Sequence, residues 1–175
     1  MEVIGFVGEA GSGKSTLIER LIVVFRALDL STSVILRCGP EYEREFGGKQ
    51  VPRFIGTGAT NVVLTSGRSW AQIHRGDDAE LALEEHLRRL DDTDLVLVEG
   101  YSRSDIPKLL VHCSGARHLP REDQIPNLIA LATIFPAKSK KLPWFHVDDV
   151  QSIARFILGR LARDAAPANG NGRTP

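Results

Sequence analysis

Cysteine is scarce in this sequence, and neither sign of charge is in excess. Two cysteines, Cys38 and Cys113, among 175 residues are too few for a disulfide framework, and they favour reduced thiols in the cytoplasm. Lysine plus arginine and aspartate plus glutamate number 22 each, so no overall field favours nucleic acid or an anionic membrane. No apolar stretch is long enough to span a bilayer. We therefore expect a cytoplasmic protein with neither a nucleic-acid nor a membrane partner.

The chain length and the distribution of apolar residues favour one domain followed by a short tail. Hydrophobic residues make up 42% of the sequence and charged residues 25%, which is typical of a globular protein with a full core. The first apolar segment begins near residue 3, so we expect no signal peptide. From residue 164 the chain loses its periodicity. We predict a domain over residues 1–163 and a disordered tail over residues 164–175.

A glycine-rich stretch near the N-terminus matches G-x-x-x-x-G-K-[ST] at every fixed position. Glycines let backbone N–H groups curl around phosphate oxygens, and the helix that begins there adds a positive dipole end. In this motif Lys14 reaches the β- and γ-phosphates, and the hydroxyl of Ser15 binds Mg²⁺. The predicted phosphate-binding residues are Gly8, Glu9, Ala10, Gly11, Ser12, Gly13, Lys14, Ser15 and Thr16.

The segments on either side of this stretch have the order that a phosphate-binding loop requires. The apolar run at residues 3–7 is typical of a buried strand. After the loop, apolar residues recur at helical spacing through Leu28. Strand, glycine-rich loop and helix therefore predict a site for a nucleoside triphosphate, with Lys14 as a candidate catalytic residue.

A second apolar run, residues 95–98, is followed at once by the carboxylate of Glu99. Such a run is typical of a central parallel strand, which places the acid at its carboxyl end beside the phosphate-binding loop. A carboxylate there binds Mg²⁺ or orients an attacking water. We predict that Glu99 and Ser15 hold Mg²⁺ and that Glu99 is catalytic together with Lys14. Asp94 precedes the strand, and we expect it at the opposite sheet edge as a solvated residue.

The whole pattern predicts an α/β protein. Its fold class is the P-loop NTPase three-layer fold, with a mostly parallel central sheet, helices on both faces and a β-hairpin insertion. Further strands are predicted at residues 33–36, 108–112, 127–132 and 144–147, with hairpin strands at 62–65 and 69–74. The polar residues 37–50 between the second strand and the next helix are expected to form a long loop at the ligand-binding edge.

Three helices and one histidine cluster complete the interpretation. A short helix within residues 51–58 should stop at Gly56 and Gly58, and Asp77 or Asp78 should cap a helix that carries Leu81, Leu83, Leu87 and Leu90. The last helix follows Asp148, which fits a capping box with Gln151. His112, Cys113 and His118 match no zinc spacing, and we interpret them as ordinary strand and loop residues.

Five stretches occur in an order that resembles the molybdopterin-guanine dinucleotide biosynthesis protein B (MobB) family. They are residues 8–16, 96–101, 107–111, 125–133 and 147–150, and the resemblance covers residues 2–162. It implies a GTP-binding P-loop protein, usually homodimeric, that assists the enzyme attaching GMP to molybdopterin and hydrolyses GTP weakly. It also implies phosphate and Mg²⁺ contacts for Gly11, Gly13, Lys14, Ser15 and Thr16, with Glu99 at the metal.

Three departures from the family pattern leave alternatives open. Residues 37–40 replace a Lys/His-rich stretch, Gln50 replaces an acidic residue, and Ile134 stands where an acid commonly follows an Ala-Thr pair. These departures are compatible with molybdopterin as the second ligand. They are equally compatible with a divergent paralogue that acts in another cofactor pathway. The chain lacks an Asn/Thr-Lys-x-Asp guanine motif, so GTP over ATP rests on the resemblance. A small-molecule kinase and a nucleotide-gated binding module also remain open.

Overall fold

The computed structural model describes residues 1–38, 50–66, 69–74, 82–90, 92–113, 122–137, 139 and 141–164. The described strands are β1 (Glu2–Val7), β2 (Thr32–Leu36), β3 (Asn61–Ser66), β4 (Ser69–His74), β5 (Leu95–Glu99), β6 (Lys108–His112), β7 (Leu128–Thr133) and β8 (Trp144–His146). The described α-helices are α1 (Lys14–Arg26), α2 (Gln50–Gly56), α3 (Leu83–Leu87) and α4 (Val150–Asp164). A 3-10 turn spans Glu122–Gln124.

The chain divides into two compact units, and the first carries a six-stranded sheet. This unit is built from residues 1–36 and the chain after residue 87. Its strand order is β2-β5-β1-β6-β7-β8, and every neighbouring pair is parallel. The predicted α/β fold with a mostly parallel sheet is therefore confirmed. The central strands β5 and β6 are almost entirely buried, as expected of parallel strands that are covered on both faces.

Alternate side chains of the sheet contribute to two separate parts of the core. On one face, Ile4 and Phe6 of β1 pack with α1 and α4, whose largest contributions are Leu17, Leu21, Phe25, Ile153 and Ile157. On the opposite face, Val7, Leu110 and Leu131 pack with apolar residues between Ile125 and Trp144. The two long helices of this unit thus cover the same face. In the described part of the chain, none of the helices combines the length and apolar character that a membrane crossing requires.

The second unit, residues 37–87, contains α2, α3 and the hairpin. β3 and β4 are antiparallel, with Ser66 paired to Ser69, which confirms the predicted hairpin. The helix α2 ends at Gly56 as predicted, and the hydroxyl of Thr57 then donates to the carbonyl of Phe54 at 2.9 Å. The helix α3 ends at Leu87, so it carries Leu83 and Leu87 as predicted, whereas Leu90 is not part of it.

Several sequence-based expectations fall on residues outside the described ranges. The proposed caps Asp77 and Asp78 belong to this group, together with Leu81, His118 and most of the polar loop, residues 39–49. The predicted tail lies there too, except for Asp164, which the structure places at the end of α4. These expectations stay predictions.

The last helix is capped one residue later than the sequence pattern predicts. It begins at Val150, and the carboxylate of Asp149 accepts a hydrogen bond from the backbone N–H of Ser152 at 3.1 Å, which is N-cap geometry. The predicted capping box of Asp148 and Gln151 is therefore wrong. Asp148 instead accepts a hydrogen bond from Nη1 of Arg20 on α1 at 2.7 Å. This ion pair joins α1 to the start of α4.

Asp94 is exposed and lies at the amino end of β5, whereas Glu99 lies at the carboxyl end, as the sequence predicts. Its carboxylate accepts hydrogen bonds from the backbone N–H and the hydroxyl of Ser31, both at 2.8 Å. These bonds favour the charged form and hold the pKa of Asp94 below its ordinary value. They also join the amino end of β5 to the segment that precedes β2.

The hydrogen bonds of Asp94 predict an acid-dependent contribution to stability. Because the pKa in the folded state lies below the reference value of 3.8, the contribution is complete above that pH and is lost as the pH falls through the lowered pKa. Asp94→Asn removes the titrating charge and should flatten the loss of unfolding free energy on the acid side. Denaturant unfolding at a series of pH values measures this. Identical pH profiles for native protein and variant would contradict the prediction.

Candidate functional site

The glycine-rich loop connects β1 to α1 in a conformation that favours glycine. Gly8, Gly11 and Gly13 have φ angles of 152°, 73° and 86°, values that side chains strongly disfavour. Gly13 is the N-cap of α1 and makes no side-chain capping hydrogen bond, and the first turn of this helix contains no acidic residue. The first N–H groups of α1 and the positive dipole end are thus left for an anion.

The carboxyl end of β6 lies directly against this loop. A Cβ atom on Gly8 would lie 2.3 Å from the carbonyl oxygen of Val111, and one on Gly13 would lie 2.8 Å from Sγ of Cys113. Both positions therefore require glycine for close contact as well as for backbone conformation. Among the described residues, no atom lies within 4 Å of a Cβ on Gly11, where the φ angle alone favours glycine.

Cys113 is a neighbour of the loop that sequence reasoning did not identify. Its thiol is half-buried, and burial together with the negative charge of Asp148 raises its pKa. The thiol is therefore neutral at ordinary pH, so it places no negative charge beside Gly13. The only sequence signal was its position directly after a predicted strand, which does not show that this strand pairs with β1.

The ammonium of Lys14 lies over the loop. Its Nζ donates hydrogen bonds to the backbone carbonyls of Glu9 at 2.8 Å and Gly8 at 3.2 Å. It also lies 3.8 Å from Oε1 of Glu99, and the Lys14 side chain is only 12% exposed. The loop thus holds one positive charge at its mouth, where an ammonium acts as a point charge for phosphate.

Ser15 and Glu99 meet beside Lys14, although 84 positions separate them in the sequence. The hydroxyl of Ser15 donates to Oε2 of Glu99 at 2.8 Å. The contact arises because β5 pairs in parallel with β1, with Glu99 opposite Phe6. A hydroxyl and a carboxylate are oxygen ligands of the kind that Mg²⁺ prefers, and Mg²⁺ usually takes its other ligands from phosphate and water. The pair therefore fits the predicted Mg²⁺ site.

The structure places the remaining predicted site residues around these three. Glu9, Ala10 and Gly11 form an exposed part of the loop, Ser12 is buried, and Thr16 is exposed on the first turn of α1. Among the described residues, no three His, Cys, Asp or Glu side chains group as metal ligands. Mg²⁺ at Ser15 and Glu99 would thus depend on phosphate oxygens. The roles of these residues in phosphate and Mg²⁺ binding stay predictions.

The parallel sheet, the glycine-rich loop after β1 and the acid at the end of β5 define a protein of the P-loop NTPase fold class. A family model described as "MobB: Molybdopterin guanine dinucleotide synthesis protein B" matches residues 3–134, which is more than half of the chain. The chain belongs to this family. The resemblance noted in the sequence is thereby confirmed.

Individual relatives agree with the family match. The molybdopterin-guanine dinucleotide biosynthesis adapter protein of Haemophilus influenzae is 32% identical over 158 residues, covering 89% of this chain and 86% of that protein. The adapter protein of Escherichia coli is 28% identical over 160 residues, covering 89% and 91%. The crystal structure of Bacillus subtilis MobB superimposes with a TM-score of 0.71 at 22% identity, covering 91% and 98%. That likeness concerns the fold alone.

Proposed function

We propose that this protein is a GTP-binding adapter of molybdopterin guanine dinucleotide biosynthesis with weak Mg²⁺-dependent GTPase activity. The observation that carries the proposal is the contact of Lys14, Ser15 and Glu99 at the glycine-rich N-terminus of α1. Family membership supports the pathway, since the curated relatives are named as biosynthesis adapter proteins. GTP is favoured over ATP by the same relationship.

Each part of the site has a distinct task in this proposal. The N–H groups of residues 8–16 surround the phosphates, as in other loops of this pattern. Lys14 exchanges its two loop carbonyls for β- and γ-phosphate oxygens, because it then gains charge-assisted hydrogen bonds. Ser15 and Glu99 would hold Mg²⁺, which would supply positive charge to neutralise the phosphate oxygens. In this proposal Glu99 also orients an attacking water.

The same geometry favours slow hydrolysis. Fast phosphoryl transfer requires several positive groups over the transferring phosphoryl and a separately positioned base or water-orienting residue. Among the contacts described at this site, Lys14 is the one ammonium, and Glu99 is the one carboxylate that contacts Ser15. Glu99 therefore has to serve both metal and water. We expect turnover well below the roughly 1–100 per second of typical kinases.

Replacement of Glu99 by glutamine tests its proposed role. Glu99→Gln retains the shape and an acceptor for Ser15 but removes the negative charge beside Mg²⁺. We expect the Mg²⁺-dependent rate of GTP hydrolysis to fall by about 10²-fold, the range for loss of a positioned acid–base group, and GTP affinity in Mg²⁺ to fall by about tenfold, the lower range for a disturbed metal ligand. Phosphate release and calorimetric titration measure the two quantities. Unchanged hydrolysis would make Glu99 a structural residue.

The adapter role implies partners that can be tested directly. We propose that the protein acts in the cytoplasm as a homodimer, that its partner is the enzyme attaching GMP to molybdopterin, and that molybdopterin is a second ligand. The test is calorimetric titration with GTP in the presence and absence of molybdopterin. Stronger GTP binding with molybdopterin supports the cofactor-assembly role. GTP binding that does not respond to molybdopterin would contradict molybdopterin as second ligand.

A further inference from the structure

Residues 100–107, which we call the crossover strap, connect β5 to β6 across β1. The strap consists of the eight residues between Glu99 and Lys108, whereas parallel strands are usually connected by a dozen or more, commonly with a helix. It begins with two residues in left-handed backbone conformation, Gly100 with φ of 100° and Tyr101 with φ of 49°. The strap therefore leaves the Glu99 position through a sharp turn that costs about 1–3 kcal/mol at a non-glycine residue.

The strap lies directly on β1. A Cβ atom on Gly5 would lie 3.1 Å from Cδ1 of Ile106 and 2.9 Å from Cγ of Lys108. Glycine inside a strand often marks such a close approach. Because Ile4 and Phe6 point towards α1 and α4, the strap and the stem of Lys108 lie on the opposite face of the sheet.

Lys108 is fully buried, and its ammonium binds three backbone carbonyls. Nζ donates to the carbonyl of Pro126 at 2.9 Å, to that of Ile106 at 3.0 Å, and to that of Ser104. Three N–H donors and three carbonyls match the protonated side chain. Burial lowers the pKa of Lys108, and the negative charge of Asp105 opposes this shift. A buried charge is costly unless it is fully hydrogen-bonded. The ammonium is therefore stable here only with the three carbonyls, and the carbonyls depend on the ammonium as their hydrogen-bond donor.

Further hydrogen bonds connect this cluster to the neighbourhood of Glu99. Both the backbone N–H and the hydroxyl of Ser104 donate to the carbonyl of Tyr101, at 3.0 Å and 2.8 Å. On the other side of the strap, Nδ2 of Asn127 donates to the carbonyl of Asp105 at 3.0 Å. The chain of contacts thus runs from Lys108 through Ser104 to Tyr101, two residues after Glu99.

We propose that Lys108 is a positioning residue for Glu99: its buried ammonium fixes the crossover strap, and the strap fixes the carboxylate that contacts Ser15. Lys108 then acts on Mg²⁺ through Glu99, without contact to the nucleotide. This role rests on the proposed function. It separates Lys108 from Lys14, whose ammonium acts on phosphate directly.

The test compares GTP affinity with Mg²⁺ and with excess EDTA, because the ratio isolates the contribution of the metal. Lys108→Met fills the same space without the charge. We expect its affinity in EDTA to stay close to native, since the loop and Lys14 are unchanged. The factor by which Mg²⁺ increases GTP affinity should fall by about tenfold, the lower end of the range for loss of a residue that orients a metal ligand. Lys141→Met, a change at an exposed lysine, is the matched control and should behave as native.

A milder variant keeps the test decisive if Lys108→Met does not fold. Asn127 is exposed and has a positive φ of 52°, so Asn127→Gly retains the backbone conformation and removes only the bond to Asp105. It should lower the Mg²⁺ gain in the same direction by a smaller factor. If the folded variants bind GTP and Mg²⁺ increases their affinity as much as it does in the native protein, the role of Lys108 is overturned and the proposed function is not. Failure of the native chain to bind GTP would overturn the proposed function, and the Lys108 role with it.

Discussion

Lys14→Ala is expected to weaken GTP binding by about ten- to a hundredfold, because charge-assisted hydrogen bonds to phosphate are worth roughly 1.5–3 kcal/mol. The fold should persist. In the structure Lys14 bonds to the carbonyls of Gly8 and Glu9, and in the variant we expect water to bond to these two carbonyls in place of the ammonium. Calorimetric titration measures the affinity, and denaturant unfolding verifies the fold.

The matched control for this variant is Lys141→Ala, which removes the same charge from an exposed position outside the loop. It should bind GTP as the native protein does. A Lys14→Ala protein with native affinity would exclude residues 8–16 as the nucleotide site. A parallel loss in both variants would instead indicate a general electrostatic effect.

Gly8→Ala is expected to abolish GTP binding and to lower the free energy of unfolding by about 2–6 kcal/mol. Backbone strain contributes roughly 1–3 kcal/mol at a φ of 152°. Overpacking adds about 1–3 kcal/mol, because the new Cβ would lie 2.3 Å from the carbonyl oxygen of Val111. The loop therefore has to move away from β6, and its N–H groups with it.

Gly11→Ala separates these two contributions. Its φ of 73° also disfavours a side chain, at about 1–2 kcal/mol, but no described atom lies within 4 Å of its Cβ. Denaturant unfolding should therefore show a smaller loss for Gly11→Ala than for Gly8→Ala. Equal losses of unfolding free energy in the two variants would mean that the close approach of Val111 does not contribute to the effect of Gly8→Ala.

The central part of the fold and the glycine-rich loop could be predicted because their signals are local. The β1–loop–α1 segment carries a fixed motif between a strand pattern and a helical pattern. The position of Glu99 beside Ser15 also followed, since the carboxyl ends of parallel strands meet at one sheet edge. The helix cap at Asp149 was missed by one residue. Its neighbour Asp148 suits a cap equally well, but Arg20, distant in the sequence, binds it instead.

The contacts that depend on strand order could not be predicted. A lysine at the start of a strand is ordinarily solvated, but Lys108 lies opposite Gly5 in the sheet and is buried there, with its ammonium bonded to the crossover strap and to Pro126. Cys113 contacts Gly13 for the same reason, since β6 lies next to β1. In each case the sequence identifies the strand but not its neighbour. The polar segment of residues 37–50, which contains two of the three departures noted in the sequence, lies largely outside the described ranges.

Calorimetric titration of the native protein with GTP and with ATP, each with Mg²⁺, examines the proposed nucleotide site itself. We expect saturable binding of GTP at one site per chain, stronger than binding of ATP. Equal affinity for both nucleotides would contradict the guanine preference and direct attention to kinase acceptors. Absence of saturable binding by either nucleotide would show that the loop of residues 8–16 is not a nucleotide site.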